Sequence, residues 1–566
     1  MRLEGYDNKG NPNINWWIEQ IHAGENYARV QTRQDKWPIY MSYYRNAFRP
    51  GIFTKNMFFT MCRSLVPRTY FRNPSISVTP AKPGLEHLAL ARIMERVLNS
   101  LTKTMDMKRQ MQRIVNIAFF TGTGAGKLGY GAQRTPTPEP GGTEIPIDKY
   151  GRRFEYRMGL ESNMPWFQAI TDMKSYVLPQ DCIDQESAWF QAHWLTLYED
   201  DVKRDPRYPK NAFDKLHSKQ KNMFGELEGE PVIWGSSSMP SRDTIRLLEI
   251  RDRRNRKVMV LAPNRSDMAL ILADDELQTD HSSPWYLYIP NPDMSTVWGV
   301  SDASILHQFQ DQLNEIKTKQ HWHMRRSLVK LLVKSGLIEP DQEAKFLSED
   351  VSAVVQIADL NGVKIIETDH IPDALFKMEL QVMQDIRETM GFNRNAFGEY
   401  QATSHGPTAT ETREVARALD LRMDERRDIL ADMYLSVMED TMRIIFRHWG
   451  QEQVIKVLDP QGAAVWVRFT GKMLRQGDYE IKINPDSALP ETKEIREKRA
   501  MAYYDRLQNN PLISNLSLTK YFLGELPGVS LEDILLEQTP AQETPLSVQD
   551  YANRLSGGAP AQRLLQ

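Results

Sequence analysis

Residues 391–420 read GFNRNAFGEYQATSHGPTATETREVARALD. Upstream, Leu375, Val382, Ile386 and Met390 recur at helical spacing, and downstream Leu430, Met433, Val437, Met438, Met442 and Ile445 do the same. The spacing predicts two long amphipathic helices joined by a polar stretch with little charge, bent at Gly398, Gly406 and Pro407. Joints between packed helices usually span only a few residues, so this one either weakens the helix assignments or has a purpose of its own.

The flanks repeat the pattern. Pro372-Asp373 opens the upstream helix, and at 100° per residue Lys377, Gln381, Gln384 and Glu388 gather opposite its apolar stripe. That face is mixed in charge and mostly amide, suited to being wet without gripping an ion. Residues 336–372 predict a compact insert, with a short helix and two short strands around Asn361-Gly362. Before them, from Ser301, Ile305, Phe309, Leu313 and Ile316 mark another long helix with Asp302 as its cap. Its end is basic: no acid stands between Glu315 and Glu339, while Lys317, Lys319, Arg325, Arg326, Lys330, Lys334 and two histidines do. This is the strongest candidate for contact with a polyanion, although cations also answer the dipole at a helix C-terminus.

At 566 residues with 26% charged and a formal net charge of −3, the chain has a globular composition and room for about three or four structural units. Overall charge names no partner. Cys62 and Cys182 lack the paired spacing of a zinc site or a disulfide framework, which points to a reducing compartment without structural metal. The N-terminal MRLEGYDNKGNPNINWW lacks the apolar core of a leader, and no apolar run reaches membrane-spanning length, so no membrane association is expected.

Aromatics at helical spacing over residues 14–66 predict packed helices. A short strand at SISVTP and a long helical stretch over 84–120 follow. RTPTPEPGGTEIP, residues 134–146, predicts an exposed excursion between strands. Residues 173–205 predict strand, turn, strand and a helix from Leu197. TIRLLEIRDRRNRKVMVLAP predicts a hairpin whose basic tip is either solvated or a nucleic-acid contact. VWVRFTGKML and DYEIKINP predict two strands, residues 491–540 predict helix, and TPAQETPLSVQDYANRLSGGAPAQRLLQ a loosely ordered tail.

Catalytic constellations are missing. In TGTGAGKLGYGAQ, residues 121–133, Gly126-Lys127 looks like a phosphate loop, but Thr121 replaces the glycine that opens such a loop and Leu128 the magnesium-binding hydroxyl. The segment also follows a helix and precedes a strand, the reverse of the required context. His321 and His323 stand at i, i+2 and cannot share a metal from one helix face. Asp274, Asp275, Glu276 and Asp280 cluster in one polar run, as a solvated loop does more often than a two-metal site. The expectation is a protein that is not an enzyme and uses no cofactor or metal.

The order of these pieces resembles the portal protein, or head-to-tail connector, of tailed double-stranded DNA bacteriophages. NMFFTMCRSLVPRTYFRNPSISVTP, YVLPQDCIDQESAWFQAHWLTLYEDDVKRD, IRLLEIRDRRNRKVMVLAP and VWGVSDASILHQFQDQLNEIKTKQHWH carry the likeness, with the run from Ile371 to TATETREVARALDLRMDERRDIL its closest part; together they span roughly residues 50–510.

The resemblance implies an α+β, mainly helical fold with wing, two-helix stem, small α/β clip, tunnel loop and C-terminal helical crown. Residues 1–300 and 413–490 would be wing, 301–325 the first stem helix, 326–372 the clip, 373–390 the second stem helix, 391–412 the tunnel loop and 491–566 the crown with its tail. It further implies a dodecameric homo-oligomeric ring at one capsid vertex of the virion, assembled in the host cytoplasm, through which DNA is packaged and ejected. Partners would be double-stranded DNA, terminase, a head-completion or tail adaptor, and the major capsid and scaffolding proteins. The tunnel loop would present Asn393, Arg394, Gln401, Ser404 and His405 to DNA, and the stem Lys377, Gln381, Gln384 and Glu388. The loop carries no dense lysine set, so phosphate contacts would fall to the stem-clip segment, Lys317, Lys319, Arg325, Arg326, Lys330, Lys334 and Lys364, or to Lys377. The alternatives are a packaging nuclease or ATPase, or another ring-forming head-tail structural protein.

Overall fold

The computed structural model describes residues 5–7, 10–140, 154–180, 182–198, 202, 208, 244–262, 269–274, 283–326, 330–333, 363–366, 372–392, 409–458, 464–484, 500–506, 508, 519, 522 and 545–555, with backbone alone for stretches such as 132–140, 154–163, 330–333, 363–366 and 409–422. Helices α1 (Ile14–Gln31), α2 (Trp37–Tyr44) and α3 (Met57–Thr69) precede β1 (Ser75–Pro80), α4 (Leu85–Thr104) and α5 (Met107–Thr121). The middle is β-rich: β2 (Gly124–Pro140), β3 (Phe154–Ala169), β4 (Tyr176–Val177), β5 (Phe190–Tyr198), β6 (Thr244–Asp252), β7 (Lys257–Leu261), β8 (Ile271–Asp274) and β9 (Trp285–Tyr288). Next come α6 (Asp302–Arg326), β10 (Lys330–Val333), β11 (Val363–Ile366), α7 (Asp373–Met390) and α8 (Ala409–His448). Finally β12 (Gln453–Leu458), β13 (Ala464–Phe469), α9 (Gly471–Leu474), β14 (Tyr479–Asn484) and α10 (Val548–Leu555) close the chain. The strands pair antiparallel and are interspersed with long helices, a mixed α+β architecture.

Two compact units share the chain. The first comprises Met1–Trp37, Arg63–Ser301 and Met423–Gln566, the second Pro38–Cys62 and Asp302–Arg422. Pro38–Cys62, expected with the rest of residues 1–300, thus belongs with α6 and α7.

The first unit is organised by an antiparallel sheet in the order β4-β5-β6-β7-β8. The two-residue period of β6 sorts its side chains: Leu248 and Ile250 join Ile14, Trp17 and Ile21 of α1 on one face, while Ile245 and Leu247 join Val202, Tyr208 and Leu270 on the other. β5 stays extended through Leu197, which pairs with Ile245, so the helix expected from Leu197 does not begin there. Residues 199–201, whose carboxylates prompted that expectation, lie outside the described residues.

A second sheet has the order β3-β2-β9. The phosphate-loop lookalike runs from the last residue of α5, Thr121, into the first half of β2. Pro136, Pro138 and Pro140, expected in an excursion, are also strand, paired with Met158, Tyr156 and Phe154. Prolines at alternate positions lack donors on one edge only, and beyond Lys127 β2 has a partner strand on just one side among the described residues, so the ladder tolerates them. The helical stretch over 84–120 is broken at Asp106, whose positive φ of 50° separates α4 from α5. Gly122, at φ 83°, ends α5 where an added Cβ would lie 2.0 Å from the Gly299 carbonyl oxygen, so glycine is required.

Pairings near the C-terminus cross long stretches of sequence. β14 pairs with β1, and β12, which the sequence reading missed, pairs with β13. Part of the expected loose tail is ordered: Leu546 bridges Val467, and α10 buries Val548, Tyr551 and Ala552. Ser547 and Asp550 form a reciprocal N-terminal cap, with the Asp550 amide 3.2 Å from the serine oxygen and the serine hydroxyl donating to Asp550 at 2.7 Å.

Candidate nucleic-acid interface

The candidate interface lies in the second unit, where α6 and α7 run antiparallel. Lys317 meets Glu379 at 2.7 Å and Gln320 meets the Leu375 carbonyl at 3.4 Å, so rising positions on α6 face falling ones on α7. The buried side of α6 is Ala303, Leu306, Gln310, Leu313, Asn314, Ile316 and Gln320, while Ile305 and Phe309 of the expected stripe are only half-buried. Amides explain the rotation. Gln310 accepts from the Met57 amide at 2.9 Å, and its two-proton Nε2 lies 2.8 Å from Thr54 Oγ1, 3.1 Å from the Lys55 carbonyl and 2.8 Å from the Asn314 side-chain oxygen, which share its hydrogens. Thr318 accepts from the Phe53 amide at 3.1 Å. These groups pair with the backbone of the irregular segment leading into α3, where the Met57 amide is buried and needs a partner that an apolar stripe could not supply.

The basic segment divides when its partners are seen. Lys317 is no bare phosphate donor, because it is half-buried against Glu379, which also accepts from Gln320 at 3.0 Å. Burial raises the Glu379 pKa, but hydrogen bonds from Lys317 and Gln320 and the charges of Lys317 and Lys55 outweigh it and hold the carboxyl below its ordinary value. Lys319 is exposed and pairs with Glu315 at 2.6 Å. Arg325 is exposed in the last turn of α6, beside exposed Trp322, His323 and Met324. Arg326 ends that helix. The β10–β11 register, Lys330 with Ile366 and Leu332 with Lys364, places positions 330 and 364 on one face of a two-stranded ribbon. The partner of β11 is thus β10, some thirty positions upstream, whereas Asn361-Gly362 and Lys334 lie outside the described residues.

On α7, Val382, Met383, Ile386 and Met390 are buried, and Lys377, Gln381, Gln384 and Glu388 are exposed together. Gln384 donates to Glu388 at 2.7 Å, one turn away. The outer surface is less uniformly polar than expected, since Phe376, Met378 and Leu380 are also exposed toward the N-terminal end. The loop residues Asn393, Arg394, Gln401, Ser404 and His405 lie outside the described residues.

The other sequence candidates resolve into packing. Lys127 bonds Glu249, which also accepts from Arg251 at 3.2 Å, and both cations lie over the Trp285 ring. Burial raises the Glu249 pKa, yet the charges of Lys127 and Arg251 overcome it and bring it down to about 2. Burial, with the Lys127 charge, pushes nearby His193 down to about 4, against the opposing pull of Glu249. The basic hairpin tip is likewise tied in: Arg253 donates to the carbonyls of Gln185, Glu186 and Ala188 at 3.1, 2.7 and 3.3 Å, and Arg254 lies over Trp189. His321 stacks on Phe53 at 3.6 Å between ring centroids, and His323 is exposed. Asp274 stands in β8, while Asp275, Glu276 and Asp280 lie outside the described residues. Among the described residues no group of three or more His, Cys, Asp or Glu is placed to share a metal, and no helix is long and apolar enough to cross a membrane. Comparison with known protein families and with curated proteins finds no match.

Sequence reasoning missed Glu379 as the neutralising partner of Lys317, and the amides that fix α6 to the segment before α3. A glutamate two positions after Lys377, on the inner side of the helical wheel, was the available signal for the first. The second had none, because an amide at helical spacing looks like a solvated position.

Proposed function

We propose that the chain is one subunit of a portal-type ring, a homo-oligomeric conduit for double-stranded DNA, with docking surfaces for a packaging motor and later for a tail adaptor. The observation that carries the reading is the α6–α7 hairpin: two antiparallel helices separated by a small insert that includes a β-ribbon, with the outer face of α7 showing Lys377, Gln381, Gln384 and Glu388. Its one lysine and one glutamate cancel. A wall along which DNA slides must avoid strong phosphate contacts, since each neutralised phosphate releases counterions and adds grip. The engagement of Lys317 by Glu379 works in the same direction, removing a cation from the set able to hold DNA.

At the distal end of the hairpin, exposed Arg325 with Trp322 and Met324 forms a mixed basic and apolar surface of the kind that docks a protein partner. Phe376, Met378 and Leu380 offer an apolar strip for a neighbouring subunit, as a heterologous ring contact requires. The twelvefold number, capsid-vertex location and named partners rest on the resemblance alone. Native mass spectrometry of the purified full chain, with ATPase and nuclease assays alongside, tests the reading. A closed oligomer without ATP hydrolysis or DNA cleavage is expected; a persistent monomer, or either activity, contradicts it.

A further inference from the structure

An open cavity of about 590 Å³ lies within the first unit, independent of the portal reading, where the approach to β1 meets one face of α4 and Ile455 of β12. Arg96, Ser100 and Lys103 line it at i, i+4 and i+7, a single column along α4. Arg72 and Ser75, at the entry of β1, supply a third cation and a second hydroxyl. Asn99 fixes the two walls together: its amide donates to the Ile76 carbonyl at 2.9 Å and to the Glu95 carbonyl at 2.9 Å.

No aspartate or glutamate is among the lining residues. Among the described residues Arg96 and Lys103 have no ion-pair partner, although both are exposed and the whole chain is near neutral. Two positive side chains on one helix face repel each other, so they do not stabilise α4 as an opposite-charge pair would. Lys103 alone answers the helix dipole in the last turn; Arg96, two turns earlier, does not. An anion entering the cavity would meet three cations and no opposing carboxylate among the lining residues.

We propose that this cavity binds phosphate groups. Two turns of helix separate Arg96 from Lys103 by about 10 Å of rise, too far for one carboxylate to bridge and suited to successive phosphates. Guanidinium groups also match phosphate oxygens in a bidentate manner, and the two serine hydroxyls add neutral donors. The shared chemistry is a chain of phosphates, either free polyphosphate or the backbone of a single nucleic-acid strand.

The test uses the full chain at low salt with two probes, inorganic tripolyphosphate and a ten-residue oligothymidylate, each followed by isothermal titration. At least one binds the parent, and the R96Q/K103Q double variant weakens that binding about a hundredfold, as the loss of two charged hydrogen bonds requires. The K472Q variant, an exposed lysine outside the cavity, leaves it unchanged. Preference for the oligonucleotide identifies the nucleic-acid backbone as the source, and equal or tighter binding of tripolyphosphate identifies free phosphate. Should the double variant fold poorly by circular dichroism, R96Q and K103Q singly, each expected to lose about tenfold, serve in its place. Absence of binding by both probes, parent-like binding by the variants, or equally tight binding of a hexaglutamate peptide overturns the assignment.

Discussion

Replacing Lys127 by Met removes the ammonium facing Glu249 while keeping most of the side-chain volume. The glutamate is 7% exposed and lies between two sheets, so it cannot turn to water. Arg251 remains at 3.2 Å, but one guanidinium must then offset all the desolvation that two cations now share. Breaking a buried ion pair from one side costs about 3–5 kcal/mol, and the remaining arginine places this case near about 3. With two units in the chain, global unfolding need not be a single transition, so local hydrogen exchange is the suitable readout. Peptides from β5, β6 and β7 should exchange about a hundredfold faster in K127M than in the parent. Replacing both partners, K127M with E249L, should restore most of the protection, because no charge is then stranded. Unchanged exchange in K127M, or a double variant as labile as the single one, would refute the argument that this lysine is a structural counter-ion.

The same cluster gives a pH dependence. His193 titrates at about 4 in the fold and near 6.5 when unfolded, so the unfolded chain binds the extra proton between those values and stability falls as pH drops through them, by up to about 3 kcal/mol. Glu249, depressed to about 2, contributes stability above its ordinary value near 4.5 that is lost as pH falls from there toward 2. Urea midpoints across pH 3–8, compared with H193Q, should show the upper segment flatten in the variant. Replacing Lys319 and Arg325 by Gln should leave assembly intact while altering DNA retention in packaged particles, whereas Lys317→Gln should instead loosen the α6–α7 pairing by about 1 kcal/mol, read as faster exchange in α7. Tyr551→Ala should cost about 3 kcal/mol, lower the melting temperature and expose α4 to exchange, because its fully buried ring is on α10, which packs on α4.

How much was legible depended on the range of the forces involved. Helical period and turn residues placed α1–α3, the β6–β7 hairpin and α6–α8 from local pattern alone, since amphipathic faces are encoded every three or four residues. Leu197 and the prolines of β2 were misjudged because their state is set by a paired strand, and pairing partners such as β1 and β14 lie some four hundred positions apart. The C-terminal helix escaped notice for a different reason. Its polar, Gly- and Pro-flanked sequence conceals a short apolar side, Val548, Tyr551 and Ala552, that is informative only against α4. In the candidate interface the exposed face of α7 was readable as a wheel, but the fate of Lys317 was not: charge counting along the chain cannot see an acid delivered by another helix.

Electron microscopy of the purified chain decides whether the ring forms. Closed, flanged rings with a central hole wide enough to admit duplex DNA are expected. Monomers or open filaments across a range of protein and salt concentrations, or rings with no hole of that width, would contradict it.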